Sequence, residues 1–279
     1  MLWLRRLGIV LLVACSCSSW GSDRFWLGCN VDITLEIHQL LSGVLEDKGT
    51  VLPEDMAIAI EEAENAEVFL SGKSGNAAWV MEQFPGQKVA GKNLSSTSWA
   101  ILPVVIAVNA DCPLENISIG ELKRIFSGRM TAWPNGVPIR LGGMPQASAV
   151  GRIFRKLVMQ QDIYSKSAPE PGSDILPDLL VCRNLAGCRA LLESVPGMIV
   201  FGDMQLQSDP GKKYKILKVN NVEPSAENIS RGSYPLFADL LMVWRVDKKA
   251  DKVSEAAEFL RRTARESGRF VAAKEKNRN

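Results

Sequence analysis

Residues 101–133 read ILPVVIAVNADCPLENISIGELKRIFSGRMTAW, and this stretch contains both kinds of secondary structure that decide the fold. Ile101 to Asn109 is rich in β-branched residues and predicts a buried strand. Ser118 to Phe126 predicts a helix, because Ser118 is a suitable N-cap and Glu121, three residues later, completes a capping box. A strand followed by a capped helix favours an α/β fold.

The same alternation continues on both sides of this stretch. Before it, residues 24–28 predict a strand, and residues 33–45 and 53–66 predict helices by their apolar spacing. Residues 67–70 predict a buried strand that leads into the loop Ser71-Gly72-Lys73-Ser74-Gly75. The remaining predicted elements are strands at 138–141, 198–201, 214–219 and 236–243, with helices at 148–160 and from about 253. Strands that alternate with helices predict an α/β architecture throughout.

Composition excludes several classes of function. The 279 residues are 46% hydrophobic and 23% charged, which is typical of a folded chain. No Lys/Arg-rich block with interleaved aromatic residues is present, so we predict no nucleic-acid partner. His38 is the single histidine and no Cys-x-x-Cys occurs, so we predict no metal site and no cofactor. Neither Gly-x-Ser-x-Gly nor a paired-carboxylate motif is present, which argues against an enzyme.

The first residues have the pattern of an export signal. Arg5 and Arg6 precede the apolar run Leu7 to Ala14, which is far shorter than the roughly 20 residues of a membrane-spanning helix. We therefore predict a signal peptide at 1–14 and a flexible tether at 15–23. Leu12-Val13-Ala14-Cys15 resembles the lipobox of bacterial lipoproteins, which implies acylation of Cys15 and a lipid anchor. The alternatives are ordinary cleavage to a freely soluble product and a buried N-terminal helix.

An exported chain with six cysteines is expected to form disulfides. Cys182 and Cys188 are close in sequence and flank residues 183–187, so they are the best candidate pair. We predict a disulfide between them.

From residue 100 onward, motifs occur in an order that resembles the phosphate-type substrate-binding proteins of ABC transporters. The most specific segment is IGELKRIFSGRMTAW, residues 119–133, which is similar to the family's helix ending in Ile-Phe-x-Gly with a basic residue and a tryptophan soon after. The other matching segments are Val104 to Asn109 with Asp111 and Pro113, Val195 to Phe201, Glu223 to Ile229, and Tyr234 to Leu236. The resemblance covers roughly residues 100–270.

This resemblance implies a two-lobed periplasmic-binding-protein fold, in which each lobe is a mixed sheet flanked by helices. Lobe one should comprise residues 24–109 and 204–279, and lobe two residues 110–203. Loops that open into helices suit an anion, because each helix start offers unpaired backbone N–H groups and a partial positive charge.

The family's anion loop in lobe two carries an arginine and then Ser-Gly-Thr at a helix start. Residues 144–150 match it here, with Ser148 as the serine. Met144 replaces the arginine, and Ala149 and Val150 replace Gly-Thr, so the resemblance implies weak phosphate binding. Ser148 is a candidate ligand or a plain N-cap, and Gln146 a candidate ligand or a surface-loop residue. Arg152 and Arg155, on the following helix, are predicted to face solvent.

Lobe one offers a second set of candidates. Ser71, Lys73 and Ser74 lie in a loop where the family keeps part of its pocket, and Lys73 could supply the missing positive charge. A solvated loop lysine is the alternative. Asn30 follows the first strand and is either a ligand donor or a cap for the next helix.

The leading hypothesis is therefore an exported solute-binding protein for phosphate or another small anion or polar solute. Its expected partners are that solute, an ABC transporter permease, and a membrane reached through the lipid anchor. The alternative is an envelope scaffold or sensor lipoprotein that keeps the fold but has lost phosphate binding.

Overall fold

A computed structural model describes residues 24–29, 37, 57–62, 66–73, 76–87, 93–161, 174–175, 178–247 and 252–273. In chain order its elements are β1 (Arg24–Cys29), β2 (Ala57–Glu62), α1 (Ala66–Gly72), β3 (Ala77–Gln83), β4 (Leu94–Pro103), β5 (Val105–Asn109), β6 (Asn116–Ile117), α2 (Ile119–Phe126), β7 (Arg140–Gly143), α3 (Ala149–Leu157), β8 (Leu180–Val181), α4 (Leu185–Ser194), β9 (Met198–Gly202), α5 (Gln205–Ser208), β10 (Tyr214–Ile216), β11 (Lys218–Val219), α6 (Ala226–Ser230), β12 (Phe237–Arg245) and α7 (Val253–Glu266).

The chain divides into two compact units. Unit 1 comprises residues 1–100, 239–267 and 275–279, and unit 2 comprises residues 101–238 and 268–274. The boundaries fall inside β4 and β12, so each of these strands contributes residues to both units. The structure thus has the α/β class and the mixed sheets that the sequence predicts.

Unit 1 is built on a five-stranded sheet in the order β2-β1-β3-β12-β4. Strand β1 is parallel to β2 and β3, and β12 is antiparallel to β3. Helix α7 buries Ala256, Leu260 and Ala264, the three apolar positions whose helical spacing predicts this helix.

Unit 2 contains the five-stranded sheet β10-β5-β9-β7-β8 and the small parallel pair β6–β11. Strand β7 is parallel to β8 and β9, while β5 is antiparallel to β9 and β10. Helix α2 begins with the predicted capping box, since Ser118 Oγ accepts the Glu121 amide hydrogen at 3.1 Å and Glu121 Oε2 accepts the Ser118 amide hydrogen at 2.8 Å.

Two predictions before residue 100 are wrong. Residues 57–62 form strand β2 rather than part of a helix, because Ile58 and Ile60 alternate into the core beside β1. Residues 66–72 form helix α1 rather than a strand, and Phe69 and Leu70 are its buried side. The predicted helix at 33–45 lies outside the described residues apart from Ile37, which is helical and buried.

The predicted lobe boundaries also differ from the two units. Residues 204–238 were expected in lobe one, but they belong to unit 2. The reason is strand pairing: β10 adds to the edge of the unit 2 sheet, with Tyr214 opposite Asn109 and Ile216 opposite Ala107. Asn109 itself also belongs to unit 2.

Candidate functional site

The loop between β7 and α3 carries the lobe-two candidates. Strand β7 ends at Gly143, Met144 follows as a buried residue, and Ser148 is the N-cap of α3. The Met144 amide donates to the Phe201 carbonyl oxygen at 3.1 Å, which fixes the start of the loop to β9. The structure therefore brings Gln146 and Ser148 together at one helix start.

Ser148 makes two hydrogen bonds within this loop. Its Oγ accepts the Gly151 amide hydrogen at 3.1 Å and donates its own hydrogen to the Pro145 carbonyl oxygen at 2.6 Å. A hydroxyl has one hydrogen to give, so Ser148 cannot also donate to an anion while this geometry holds. The structure thus shows Ser148 as the N-cap of α3. A ligand role for its hydroxyl hydrogen would require the bond to Pro145 to break.

The next two residues offer backbone donors. Ala149 and Val150 are 1% and 0% exposed, and none of the residues that the structure describes accepts a hydrogen bond from either backbone N–H. Their side chains are apolar, so a comparison with the family's Gly-Thr pair shows only that a glycine and a hydroxyl are missing and does not show the backbone donors. Buried N–H groups without an acceptor are costly, by about 1–3 kcal/mol each. An acceptor from solution would reach these donors only if the loop before α3 opened, because both residues are almost fully buried.

The side chains around these donors are mostly uncharged. Met144 is apolar and 7% exposed, and it stands where the resemblance implies an arginine. Gln146 is half-buried, and within the described ranges its amide group has no hydrogen-bond partner, so it is free to donate or accept.

Arg152 and Arg155 were both predicted to face solvent, and the structure differs from this prediction at Arg152. Arg152 is 5% exposed, so that prediction is wrong: the residue lies on the buried side of α3 together with Ile153 and Phe154. Arg155 is half-buried, and its Nε donates to Gln161 Oε1 at 2.6 Å. Amphipathic spacing alone could not separate a buried arginine from a solvated one.

Aromatic packing and two glycines hold the loop in place. Phe126 on α2, Phe154 on α3 and Phe201 on β9 form one cluster, with the Phe154 and Phe201 rings stacked at 4.2 Å between centroids. A Cβ on Gly143 would lie 2.3 Å from the Phe201 ring, and a Cβ on Gly151 would lie 2.2 Å from the Pro145 carbonyl oxygen. Neither glycine was predicted to matter from the sequence, although a glycine in the first turn of a helix, such as Gly151, is a usable signal of close backbone approach.

The unit 1 candidates occupy a different kind of position from the one predicted. Ser71 is part of α1, where its Oγ donates to the Val68 carbonyl oxygen at 3.0 Å, and Lys73 follows the helix end. The carboxyl end of a helix presents carbonyl groups rather than N–H donors, which does not favour an anion. Ser74 and Asn30 lie outside the described residues.

Lys73 is held by its neighbours within unit 1. Its Nζ lies 2.6 Å from Glu61 Oε2 and 3.9 Å from the centroid of the Trp26 ring. The ion pair with Glu61 balances the charge of Lys73, so its predicted role as a replacement for the missing arginine is not favoured.

Two further clusters in unit 2 are structural. Cys182 and Cys188 are joined by a disulfide, with 5.3 Å between their Cα atoms. The buried carboxylate of Asp209 accepts hydrogen bonds from Arg189 Nε at 2.8 Å, from the Tyr214 hydroxyl at 3.0 Å and from the Gly211 amide at 3.1 Å. Burial acts to raise the pKa of Asp209, but these hydrogen bonds outweigh it and hold the pKa below its ordinary value.

Within the described ranges no three His, Cys, Asp or Glu side chains are grouped so that they could hold a metal ion. None of the helices in those ranges has both the length and the apolar character needed to cross a bilayer.

Known proteins share both sequence and fold with this chain. A curated relative, the phosphate-binding protein PstS of Bacillus subtilis (strain 168), is 27% identical over 168 residues, or 59% of this chain and 51% of the relative. The alignment thus spans about half the length of that relative.

Solved structures extend the likeness over most of the chain. An ABC-type phosphate transport receptor from Vibrio cholerae is 17% identical, with 88% of this chain and 99% of that one covered at a TM-score of 0.64. PstS from Borrelia burgdorferi is 14% identical, with 91% and 100% covered at a TM-score of 0.63. At these identities the similarity shows the fold alone.

The family match agrees with this fold. A family model described as the PBP superfamily domain matches residues 59–261, which is more than half of the chain. The resemblance that the sequence motifs predict is confirmed, and the chain belongs to the PBP superfamily.

Proposed function

We propose that this protein is an exported solute-binding protein that holds a small anionic or polar solute and delivers it to an ABC-type transporter. Membership of the PBP superfamily supports this class. The names of its relatives, which refer to phosphate binding or phosphate transport, point to a small oxyanion or a similar solute. The role is binding rather than catalysis.

The observation that carries the proposal is the pair of buried N–H groups at the start of α3. The backbone donors of Ala149 and Val150 have no acceptor among the described residues, and because these residues are 1% and 0% exposed, a solute reaches them only when the loop before α3 opens. The helix dipole adds a partial positive charge at the same place. Gln146, in the same loop, adds an uncommitted side-chain amide.

The same loop argues against tight binding of inorganic phosphate. Met144 supplies no charge, and the Ser148 hydrogen is used by Pro145. A phosphate dianion would therefore lose charge-assisted hydrogen bonds worth about 1.5–3 kcal/mol each. A monoanion or a neutral carbonyl compound needs less compensation. We therefore expect phosphate to bind this protein more weakly than a site with the arginine would bind it.

A thermal-shift panel tests the proposal. The protein is heated with inorganic phosphate, sulfate, small carboxylates and neutral amides, and any shift is followed by calorimetry. A solute at 100 times its Kd should stabilise the folded state by about 2.7 kcal/mol, which is easily measured. At least one solute should raise the melting temperature with one-to-one stoichiometry. A panel without any shift would contradict a solute-binding role.

A second candidate, an envelope scaffold or sensor that has lost its ligand, is favoured by one observation, the apolar Met144 in the anion loop. The same panel separates the two candidates, since a scaffold should bind none of the solutes.

We also propose that the protein is anchored by lipid at Cys15, which lies outside the described residues. The support is the Leu-Val-Ala-Cys sequence after a basic and apolar start. Changing Cys15→Ser should release the protein from the membrane fraction, because two acyl chains give firm anchoring. Identical fractionation of both forms, with no lipid mass on the wild type, would show that there is no anchor.

A further inference from the structure

The edge strand of the unit 2 sheet next to the anion loop, residues 144–150, is very short. Strand β8 is two residues long, and its residues Leu180 and Val181 are 44% and 55% exposed. Among the strands that the structure describes it pairs only with β7, with Leu180 opposite Gly142 and Val181 opposite Gly143. So short an edge strand has few hydrogen bonds and little burial of its own to keep it in place.

Strand β7 depends on this edge at its carboxyl end. The Cys182 amide donates to the Gly143 carbonyl oxygen at 2.9 Å, and on the opposite side the Met144 amide donates to the Phe201 carbonyl oxygen. Gly143 has no side chain with which to anchor itself, and the next residue already belongs to the loop that leads to Ser148. The position of this loop is thus set from both sides by backbone hydrogen bonds.

The disulfide connects the residue that follows β8 to helix α4, which has further contacts within unit 2. Cys182 and Cys188 are 3% and 1% exposed, and Cys188 lies in the first turn of α4. Helix α4 is fixed near its other end, where Asn109 Nδ2 donates to the Leu192 carbonyl oxygen at 2.9 Å. The Arg189–Asp209 ion pair ties the middle of the helix to the segment after α5.

We infer that the Cys182–Cys188 disulfide is a positioning element for the α3 N-terminus. The disulfide keeps Cys182 next to α4, and the Cys182 amide is hydrogen-bonded to the Gly143 carbonyl oxygen. Because the loop that ends at Ser148 begins directly after Gly143, this contact sets where the loop starts. The consequence for solute affinity rests on the proposed function, whereas the consequence for order in the loop does not.

The same arrangement makes the loop sensitive to redox state. A dithiol reductant breaks the S–S bond, leaves a thiol on Cys182 and another on Cys188, and is itself converted to its disulfide. The edge strand then keeps only its few backbone hydrogen bonds. Local opening of β8 and of the loop after Gly143 should become more frequent while the remainder of unit 2 stays folded.

Hydrogen exchange of single amides, followed by NMR, tests this inference on the full chain. The variant Cys182→Ser/Cys188→Ser removes the cross-link, and Cys112→Ser is the matched control because Cys112 is a buried thiol elsewhere in unit 2. The amides of Met144 and Ser148 report on the loop. The amide of Leu217, which donates to the Ile106 carbonyl oxygen at 2.9 Å, reports on the opposite edge of the sheet.

In the double variant, Met144 and Ser148 should exchange at least about tenfold faster, while Leu217 changes less than about twofold. Reduction of the folded wild type by dithiothreitol should reproduce this pattern, which covers the case in which the variant does not fold. Cys112→Ser should leave all three amides unchanged. Unchanged loop exchange, or equal acceleration at Leu217, would overturn the inference because the disulfide would then be irrelevant or would stabilise unit 2 as a whole.

Calorimetry with any solute that shifts the melting temperature completes the test. The double variant should bind it about tenfold more weakly, and Cys112→Ser should bind it as the wild type does. Accelerated exchange with unchanged affinity would overturn the positioning role in binding. Absence of binding by the wild type would count against the proposed function, while the exchange pattern would still decide the inference.

Discussion

The Ser148 hydroxyl donates its hydrogen to the Pro145 carbonyl oxygen across 2.6 Å, and this bond closes the loop over the first turn of α3. The backbone repeats the contact, since the Ser148 amide donates to the same oxygen at 2.9 Å. Ser148 resembles a ligand residue in sequence, but its hydroxyl hydrogen is used in a bond within its own loop. The donors left in this loop for a solute are the backbone N–H groups of Ala149 and Val150 and the side-chain amide of Gln146.

Substituting Ser148→Ala should therefore reduce stability more than affinity. Loss of the N-cap should lower the free energy of unfolding by about 1 kcal/mol. Solute affinity should change less than threefold, because the hydroxyl hydrogen is not available to the solute. Ser225→Ala is the control, since Ser225 Oγ caps α6 in the same way by accepting the Asn228 amide hydrogen at 3.2 Å. A tenfold loss of affinity in Ser148→Ala alone would show that the hydroxyl contacts the solute.

Gly197 should be among the least replaceable residues of unit 2. Its φ is +73°, a Cβ would lie 2.1 Å from the Pro138 carbonyl oxygen, and its own carbonyl accepts the Trp133 Nε1 hydrogen at 3.0 Å. Gly197→Ala should lower the free energy of unfolding by about 2–4 kcal/mol, because the left-handed backbone and the clash both disfavour it. Urea titration measures the loss.

Gly232 offers a matched control for that substitution. Its φ is also +73°, but the nearest atom to a Cβ there is Phe237 Cζ at 3.8 Å. Gly232→Ala should cost only the backbone penalty of about 1 kcal/mol. Equal losses at Gly197 and Gly232 would show that the contact with Pro138 relaxes freely.

Asp209 should make stability fall in acid. Its pKa is depressed in the folded state, so its contribution is complete above its unfolded pKa of about 3.9 and is lost as the pH falls through the folded value. Asp209→Asn should therefore lower the urea midpoint at pH 7, and its deficit relative to wild type should shrink below about pH 4. Asp178→Asn, at an exposed carboxylate, controls for the loss of one negative charge. A deficit of the same size at pH 7 and pH 3 would contradict this account.

Phosphate affinity should be restorable at three positions. The combined variant Met144→Arg/Ala149→Gly/Val150→Thr rebuilds the arginine and the Ser-Gly-Thr start of the family's loop. Calorimetry should show at least tenfold tighter binding of inorganic phosphate than by the wild type, because a charged donor and a hydroxyl are added. Tight phosphate binding by the unmodified protein would show that other residues carry the site.

Strong local signals made unit 2 predictable from sequence. The β-branched run before Asn109 predicts a strand, and the capping box at Ser118 predicts a helix start, each from only a few residues. The close spacing of Cys182 and Cys188 likewise predicts the disulfide that the structure contains. The run at 101–109 nevertheless divides at Val104, whose amide donates to the Leu236 carbonyl oxygen. A tertiary hydrogen bond of this kind leaves no mark in the sequence.

Unit 1 and the site were harder to predict. Strand β2 and helix α1 are six and seven residues long, too short for apolar periodicity to separate a helix from a strand. The backbone donors of Ala149 and Val150 do not depend on side-chain identity. A comparison of side chains with the family's motif therefore shows only two substitutions and does not show these donors. The burial of Arg152 and the pairing of Lys73 with Glu61 depend on tertiary packing.

A proline at Ala149 tests whether a solute accepts hydrogen bonds from the start of α3. Proline is favoured at the first position of a helix and removes one N–H there. Ser148 has ψ of 160°, which suits a residue that precedes proline. The control is Ala226→Pro, which makes the same change at the first position of α6, after the serine cap Ser225 with ψ of 152°.

The measurement is calorimetric titration of wild type and both proline variants with inorganic phosphate and with each solute that shifts the melting temperature. The expectation is that Ala149→Pro weakens binding about tenfold or more, because one hydrogen bond to a charged or polar acceptor is lost, while Ala226→Pro binds as the wild type does. Equal affinities of the two variants, or the absence of any solute bound by the wild type, would contradict it.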